Sequence, residues 1–78
     1  MSYNGWPNYE TWNVALWFGN DEGLYRAVRA ERPYTAAKAE RVALEWMPDG
    51  TPDFDDMGGA AAYDRVDWQE IAASWNEL

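Results

Sequence analysis

No cysteine and no histidine occur among the 78 residues. The first absence excludes disulfides, and the two together exclude thiolate and imidazole metal ligands along with the commonest catalytic bases and nucleophiles. Positive charge is scarce: six Lys and Arg stand against fourteen Asp and Glu, a net charge of −8. A chain so charged repels nucleic acid and anionic membrane surfaces alike, so direct DNA or RNA binding is disfavoured. Long apolar runs are missing too. Nothing approaches the ~18 to 20 residues that span a bilayer, and Met1 to Trp12 lacks the basic start and apolar middle of a signal peptide. A cytoplasmic protein is expected.

Aromatic residues are abundant, with six Trp, five Tyr and two Phe. A chain this short is one domain, residues 1–78, near the lower limit at which a single core outweighs conformational entropy. With no staple available, packing alone must supply that core, and each large ring covers ~150 to 250 Å² when buried. The expected fold is all-α, a compact bundle of about four short helices with one Asp/Gly/Pro-rich loop.

Along the chain, Asn4-Gly5 reads as a turn and Trp6-Pro7 as an extended dipeptide, which places Met1 to Pro7 outside any helix. Asn8 then caps a first helix over residues 9–18, stopped by a left-handed Gly19. Tyr9, Trp12 and Leu16 recur there at helical spacing, with apolar Val14, Ala15, Trp17 and Phe18 on the flank, so this helix is expected at the centre. Asn20 or Asp21 caps a second helix that buries Leu24, Tyr25 and Val28 before Pro33. Thr35 caps a third through Ala36, Ala39, Val42, Ala43, Trp46 and Met47, until Pro48. Residues 49–59 carry Gly, Pro and Asp at a density that predicts a loop. Ala60 to Val66 has helix-forming composition, and whether it makes a separate helix is left open. Asp67-Trp68-Gln69-Glu70 has the spacing of a capping box before a last helix, residues 68–76, that buries Trp68, Ile71, Ala72 and Trp75. The expected core sets Trp12 and Leu16 against Val42, Trp46, Ile71 and Trp75, and leaves Trp6 and Trp17 as the unassigned tryptophans.

Charge is unevenly placed. Residues 1–48 are nearly neutral at −1, whereas residues 49–78 hold eight acidic groups and one basic, a net of −7. Like charges within a small folded unit repel and lower stability, so segregation on this scale points to a used surface. Its carboxylates are Asp49, Asp53, Asp55, Asp56, Asp64, Asp67, Glu70 and Glu77, and they form the candidate partner-binding set. The plain alternative is a solvated loop and a capped helix, as Asp67 and Glu70 illustrate. Loop carboxylates are in either case expected to contribute little to the packed core.

Other chemistry fits less well. A carboxylate pair of the glycosidase type needs a deep cleft of ~300 Å³ or more, for which so short a chain has little room, and no enzymatic activity is expected. Asp53, Asp55, Gly58 and Asp64 fall at positions 1, 3, 6 and 12 of a calcium-loop pattern. Met57 stands where that pattern needs an oxygen ligand, and Asp64 where a longer bidentate Glu is usual. No metal and no cofactor are therefore expected. Stacking on single-stranded nucleic acid requires rings in a basic groove, and here the charge has the wrong sign.

Asn8-Tyr9-Glu10-Thr11-Trp12-Asn13-Val14-Ala15-Leu16-Trp17 and Val66-Asp67-Trp68-Gln69-Glu70-Ile71-Ala72 resemble the two ends of a family of small proteins in phages and bacterial mobile elements. That family shares a Tyr-Glu-Thr-Trp start and a Val-Asn/Asp-Trp-x-Glu-Ile-Ala end. The resemblance implies a mobile-element context and assigns no site residue. By analogy of size, charge and context, it suggests a DNA mimic of the anti-CRISPR or anti-restriction kind. Two functions are carried forward, an acidic inhibitor that binds the basic nucleic-acid channel of a host defence complex and an adaptor that binds a partner through an exposed aromatic patch such as Trp6 or Trp17, with a calcium-responsive loop as a third.

Overall fold

The computed structural model describes residues 3–78. Met1 and Ser2, at the head of the segment read as turn and extended chain, lie outside the described residues. Asn4 and Gly5 both have positive φ, 50° and 88°, and the backbones of Tyr3 and Trp6 bond to each other across them. This is the geometry that an Asn-Gly pair favours, because Asn and Gly tolerate left-handed φ best.

Four α-helices follow: α1 Tyr9–Asn20, α2 Glu22–Ala30, α3 Ala36–Trp46 and α4 Trp68–Asn76. The expected caps are in place. Asn8 accepts from the Thr11 amide at 2.9 Å, Thr35 from that of Lys38 at 3.2 Å, and Asp67 from that of Glu70 at 3.1 Å. One expected boundary is different. Gly19 lies inside α1, and Asp21, in extended conformation, ends α1 and starts α2 at once: its amide donates to the Trp17 carbonyl at 3.2 Å while its carboxylate accepts from the Leu24 amide at 3.0 Å. A side chain that caps the next helix removes the need for a left-handed residue at the end of the last one.

The segment expected to be a loop is the larger correction. Within it Pro52–Met57 forms a 3-10 helix, and past left-handed Gly58 the stretch left open, with its helix-forming composition, makes a separate 3-10 helix, Gly59–Arg65. Phe54, Met57, Ala60, Tyr63 and Val66 occupy every third position, and each is buried or packed on the core. A 3-10 helix turns every three residues, so within each piece this spacing repeats one inward side, with Ala62 also buried in the second. Two glycines allow the segment to close on the preceding turn. A Cβ at Gly50 would lie 2.8 Å from the Gly59 carbonyl oxygen, and one at Gly59 would lie 3.0 Å from that of Asp49.

α1 lies against α2, α4 and the second 3-10 helix, whereas α4 lies against α1, α2 and α3, so the central place expected of α1 is shared with α4, on which α3 packs. The buried face of α1 is not the expected one. Thr11, Val14 and Phe18 are buried, whereas Trp12 and Leu16 are only half-buried. Trp12 packs with Tyr3 and Tyr9 instead, at ring separations of 4.9 and 5.5 Å. The central ring is Trp75, 5.2 Å from Phe18 and 5.1 Å from Tyr34. The same core contains Val28, Ala39, Val42, Ala43 and Ile71, all fully buried. Trp46, expected in that core, is 50% exposed, because α3 ends at that residue.

Two phenols are part of this core. Tyr34 donates to the Val28 carbonyl at 2.7 Å and Tyr63 to that of Met47 at 2.8 Å, and burial pushes both up to about 12. The unfolded chain releases these protons first, near pH 10. Their contribution to stability is therefore complete below that value and is lost as pH rises through about 12. Tyrosinate absorbance and helical circular dichroism followed against pH should show Tyr34 and Tyr63 ionising together with loss of helix. Late ionisation should shrink in Tyr34→Phe and Tyr63→Phe. Ionisation of every tyrosine with helicity retained would contradict this placement.

Candidate functional site

The candidate surface rests on the two 3-10 helices and α4. With Phe54, Met57 and Tyr63 facing inward, Asp53, Asp55, Asp56 and Asp64 are left outside, and all eight acidic residues of the segment 49–78 are exposed. On a three-residue turn Asp53 and Asp56 share one side. Glu70 lies in the first turn of α4 and Glu77 is the residue that ends it.

The single cation of this half is neutralised. Arg65 donates from Nε to Glu10 Oε2 at 2.6 Å and from its second guanidinium nitrogen to the Met57 carbonyl at 3.2 Å. The Glu10 side chain is only 12% exposed, and the Arg65 hydrogen bond holds its carboxyl below the usual carboxylate range. The outward charge of the segment is thus carboxylate almost alone.

Two of the eight carboxylates have structural work, and for Asp53 the expectation of a loop group idle in the fold fails. Asp53 Oδ2 accepts from Asn13 Nδ2 at 2.7 Å and from Trp17 Nε1 at 3.0 Å. These hydrogen bonds, that from Asn13 foremost, hold its carboxyl below the ordinary value. Asn13 is fully buried, and its Oδ1 accepts from Thr51 Oγ1, also buried, at 2.5 Å. A second tie lies at the other end of the segment. Asn8 Nδ2 donates to the Arg65 carbonyl at 2.7 Å, and Thr11 Oγ1 donates to Asn8 Oδ1 at 2.6 Å and accepts from the Asp67 amide at 2.9 Å. Only half of the expected capping box therefore forms: Asp67 caps α4, but its own amide goes to Thr11 and not to Glu70. The other six carboxylates, Asp49, Asp55, Asp56, Asp64, Glu70 and Glu77, enter no ion pair among the described residues.

Nothing in the geometry brings the calcium pattern together. Asp53 is turned toward α1, and among the described residues no three acidic side chains converge on one point. A hollow of about 280 Å³ at the α1–α2 corner is lined by Leu16, Trp17, Asn20 and Asp21, and its one carboxylate is already the cap of α2. Among the described residues no helix is long and apolar enough to cross a membrane. The tryptophans left unassigned, Trp6 and Trp17, are both half-buried, and among the described residues the exposed tryptophan is Trp46, expected in the core.

Removing a buried amide strands its partners, at a cost of about 1 to 3 kcal/mol for each group left unpaired. Asn13→Ala should therefore lose about 2 to 3 kcal/mol in urea unfolding. Asp53→Ala should lower the melting temperature at neutral pH. A depressed folded pKa gives stability that is present above the unfolded value and lost as pH falls through the folded one. The gap between Asp53→Ala and the unaltered protein should accordingly narrow in acid, while Asp56→Ala matches the unaltered protein throughout. Equal melting of the Asp53 and Asp56 variants at neutral pH would contradict the structural role of Asp53.

No curated protein and no solved structure matches the chain. A protein-family model described as a family of unknown function (DUF7249) matches residues 1–78. With its whole length inside that match, the chain belongs to this family of unknown function.

Proposed function

We propose that the protein is an inhibitor that occupies the basic nucleic-acid channel of a host defence complex of the CRISPR surveillance kind, acting as a folded DNA mimic. It would act in the cytoplasm of a bacterial host, in a phage or mobile-element setting. The observation that carries this reading is the exposure of all eight carboxylates of residues 49–78 while Arg65, their one countercharge, is tied to Glu10. Duplex DNA presents one charge per ~1.7 Å of axis to such channels. A folded polyanion can take that place without being read or cut. Asp49, Asp55, Asp56, Asp64, Glu70 and Glu77 are the contact residues, with Asp53 and Asp67 adding charge from structural positions.

The adaptor reading is favoured by a different observation. Trp46 leaves half its surface to solvent, and exposed tryptophans are frequent anchors of protein interfaces. On that reading the acidic half serves solubility alone.

Capture of partners from host lysate, with the retained complex then measured directly, separates the two. For the mimic, affinity should fall by about tenfold or more between about 50 and 200 mM salt, and DNA should compete. Changing Asp49, Asp55, Asp56 and Asp64 together to Asn should leave melting nearly unchanged and abolish binding. Asp53 is kept in that variant because it holds α1. Full inhibition by the folded quadruple variant, with weak salt dependence, would sink the mimic and leave the adaptor.

A further inference from the structure

The exposure of Trp46 is at odds with its place on the helix. Ala39, Val42 and Ala43 make the buried stripe of α3, and a residue four after Val42 and three after Ala43 continues that stripe. Yet Trp46 is 50% exposed. α3 stops at that residue, and Met47 already leaves the helical conformation. Trp46 forms no ring pair among the described residues, and Trp68, at the start of α4, is engaged with Tyr63. Its Nε1 donates to the Tyr63 carbonyl at 3.1 Å, and the two rings lie 5.5 Å apart.

The surroundings of Trp46 are negative. The last turn of α3 contains no basic residue, so the partial negative charge of the helix C-terminus meets no countercharge there. Glu45 and Asp49 flank the tryptophan in the chain, both exposed. Glu45 meets Arg41 at 3.5 Å in a solvent-exposed pair, an arrangement too weak to hide its charge. An indole face in a negative field suits a guanidinium, which stacks on it through the ring quadrupole and keeps its hydrogen bonds for neighbouring carboxylates. It does not suit a second copy of the chain, because two bodies of net charge −8 repel.

We propose that Trp46 is the stacking anchor for an arginine of the partner, with Glu45 and Asp49 as the flanking acceptors. This rests on the proposed basic partner and adds its chemistry: an arginine-bearing protein surface, preferred over one bearing lysine. On this assignment the tryptophan and the carboxylates serve one interface.

The test uses protein carrying 5-fluorotryptophan, with the Trp46 fluorine resonance assigned through Trp46→Phe. Oligoarginine and oligolysine peptides of equal length are titrated at low salt. Arginine peptide should shift the Trp46 resonance saturably and bind about two- to fivefold tighter than lysine peptide. Trp46→Ala should erase that preference, and Trp46→Phe should keep part of it. Thermal melting establishes that both variants fold. A stationary Trp46 resonance with arginine peptide bound, or a preference that survives Trp46→Ala, overturns the anchor and leaves the basic partner standing. Failure of both peptides to bind the unaltered protein at low salt removes the basic partner and the anchor with it. Dimerisation in sedimentation equilibrium that Trp46→Ala abolishes would assign the ring to a second copy and overturn the proposal.

Discussion

The hydrogen bonds from α1 to the segment that follows α3 are what the rest of the molecule depends on. Asn13 binds Thr51 and Asp53 at one end, and Asn8 and Thr11 bind the Arg65 carbonyl and the Asp67 amide at the other. Between these ties lies most of the acidic half, folded into 3-10 turns whose internal hydrogen-bond geometry is poor. Such turns rarely persist by themselves. Here they are held by Phe54 and Tyr63 in the core and by polar ties that leave no buried side-chain donor or acceptor unpaired among the described residues. Each tie contributes about 1 kcal/mol when made and costs more when broken, which matters in a domain whose total stability is only several kcal/mol.

This also explains the residues of the first motif. Asn8, Glu10, Thr11 and Asn13 all bind groups more than thirty residues away, so the motif is a clasp for the fold. The surface that it presents is a different matter. Repulsion among the carboxylates of residues 49–78 is tolerated because their backbone is fixed from the other side by α1.

The sequence was legible where local signals act alone. Asn8, Thr35 and Asp67 stand at helix starts because a short polar side chain there meets an orphan amide, and these positions need no tertiary knowledge. Legibility fails where two patterns compete. α1 has two stripes at helical spacing: Tyr9, Trp12 and Leu16, with the larger rings, and Thr11, Val14 and Phe18, with a hydroxyl among them. Ring size favours the first; the structure buries the second, because the Thr11 hydroxyl finds two partners, Asn8 beside it and the distant Asp67 amide. Asp53 and the other half of the capping box were hidden for the same reason. Trp46 misleads differently, since periodicity gives its direction and cannot tell that the core stops short of it. The 3-10 segment could have been found: Phe54, Met57, Ala60, Tyr63 and Val66 spell a three-residue period, masked by the Gly, Pro and Asp between them.

Native-state hydrogen exchange at the Asp67 amide tests the clasp most directly. That amide precedes α4, outside any helical hydrogen bond, and its one partner is the Thr11 hydroxyl at 2.9 Å. If the clasp holds the acidic half in place, the Asp67 amide should exchange only through opening as costly as that of the Ile71 and Trp75 amides in α4, and Thr11→Val should bring its protection down sharply while α4 remains protected. Exchange at the rate of a free loop in the unaltered protein would show that the acidic half opens independently of α1, and would contradict the account.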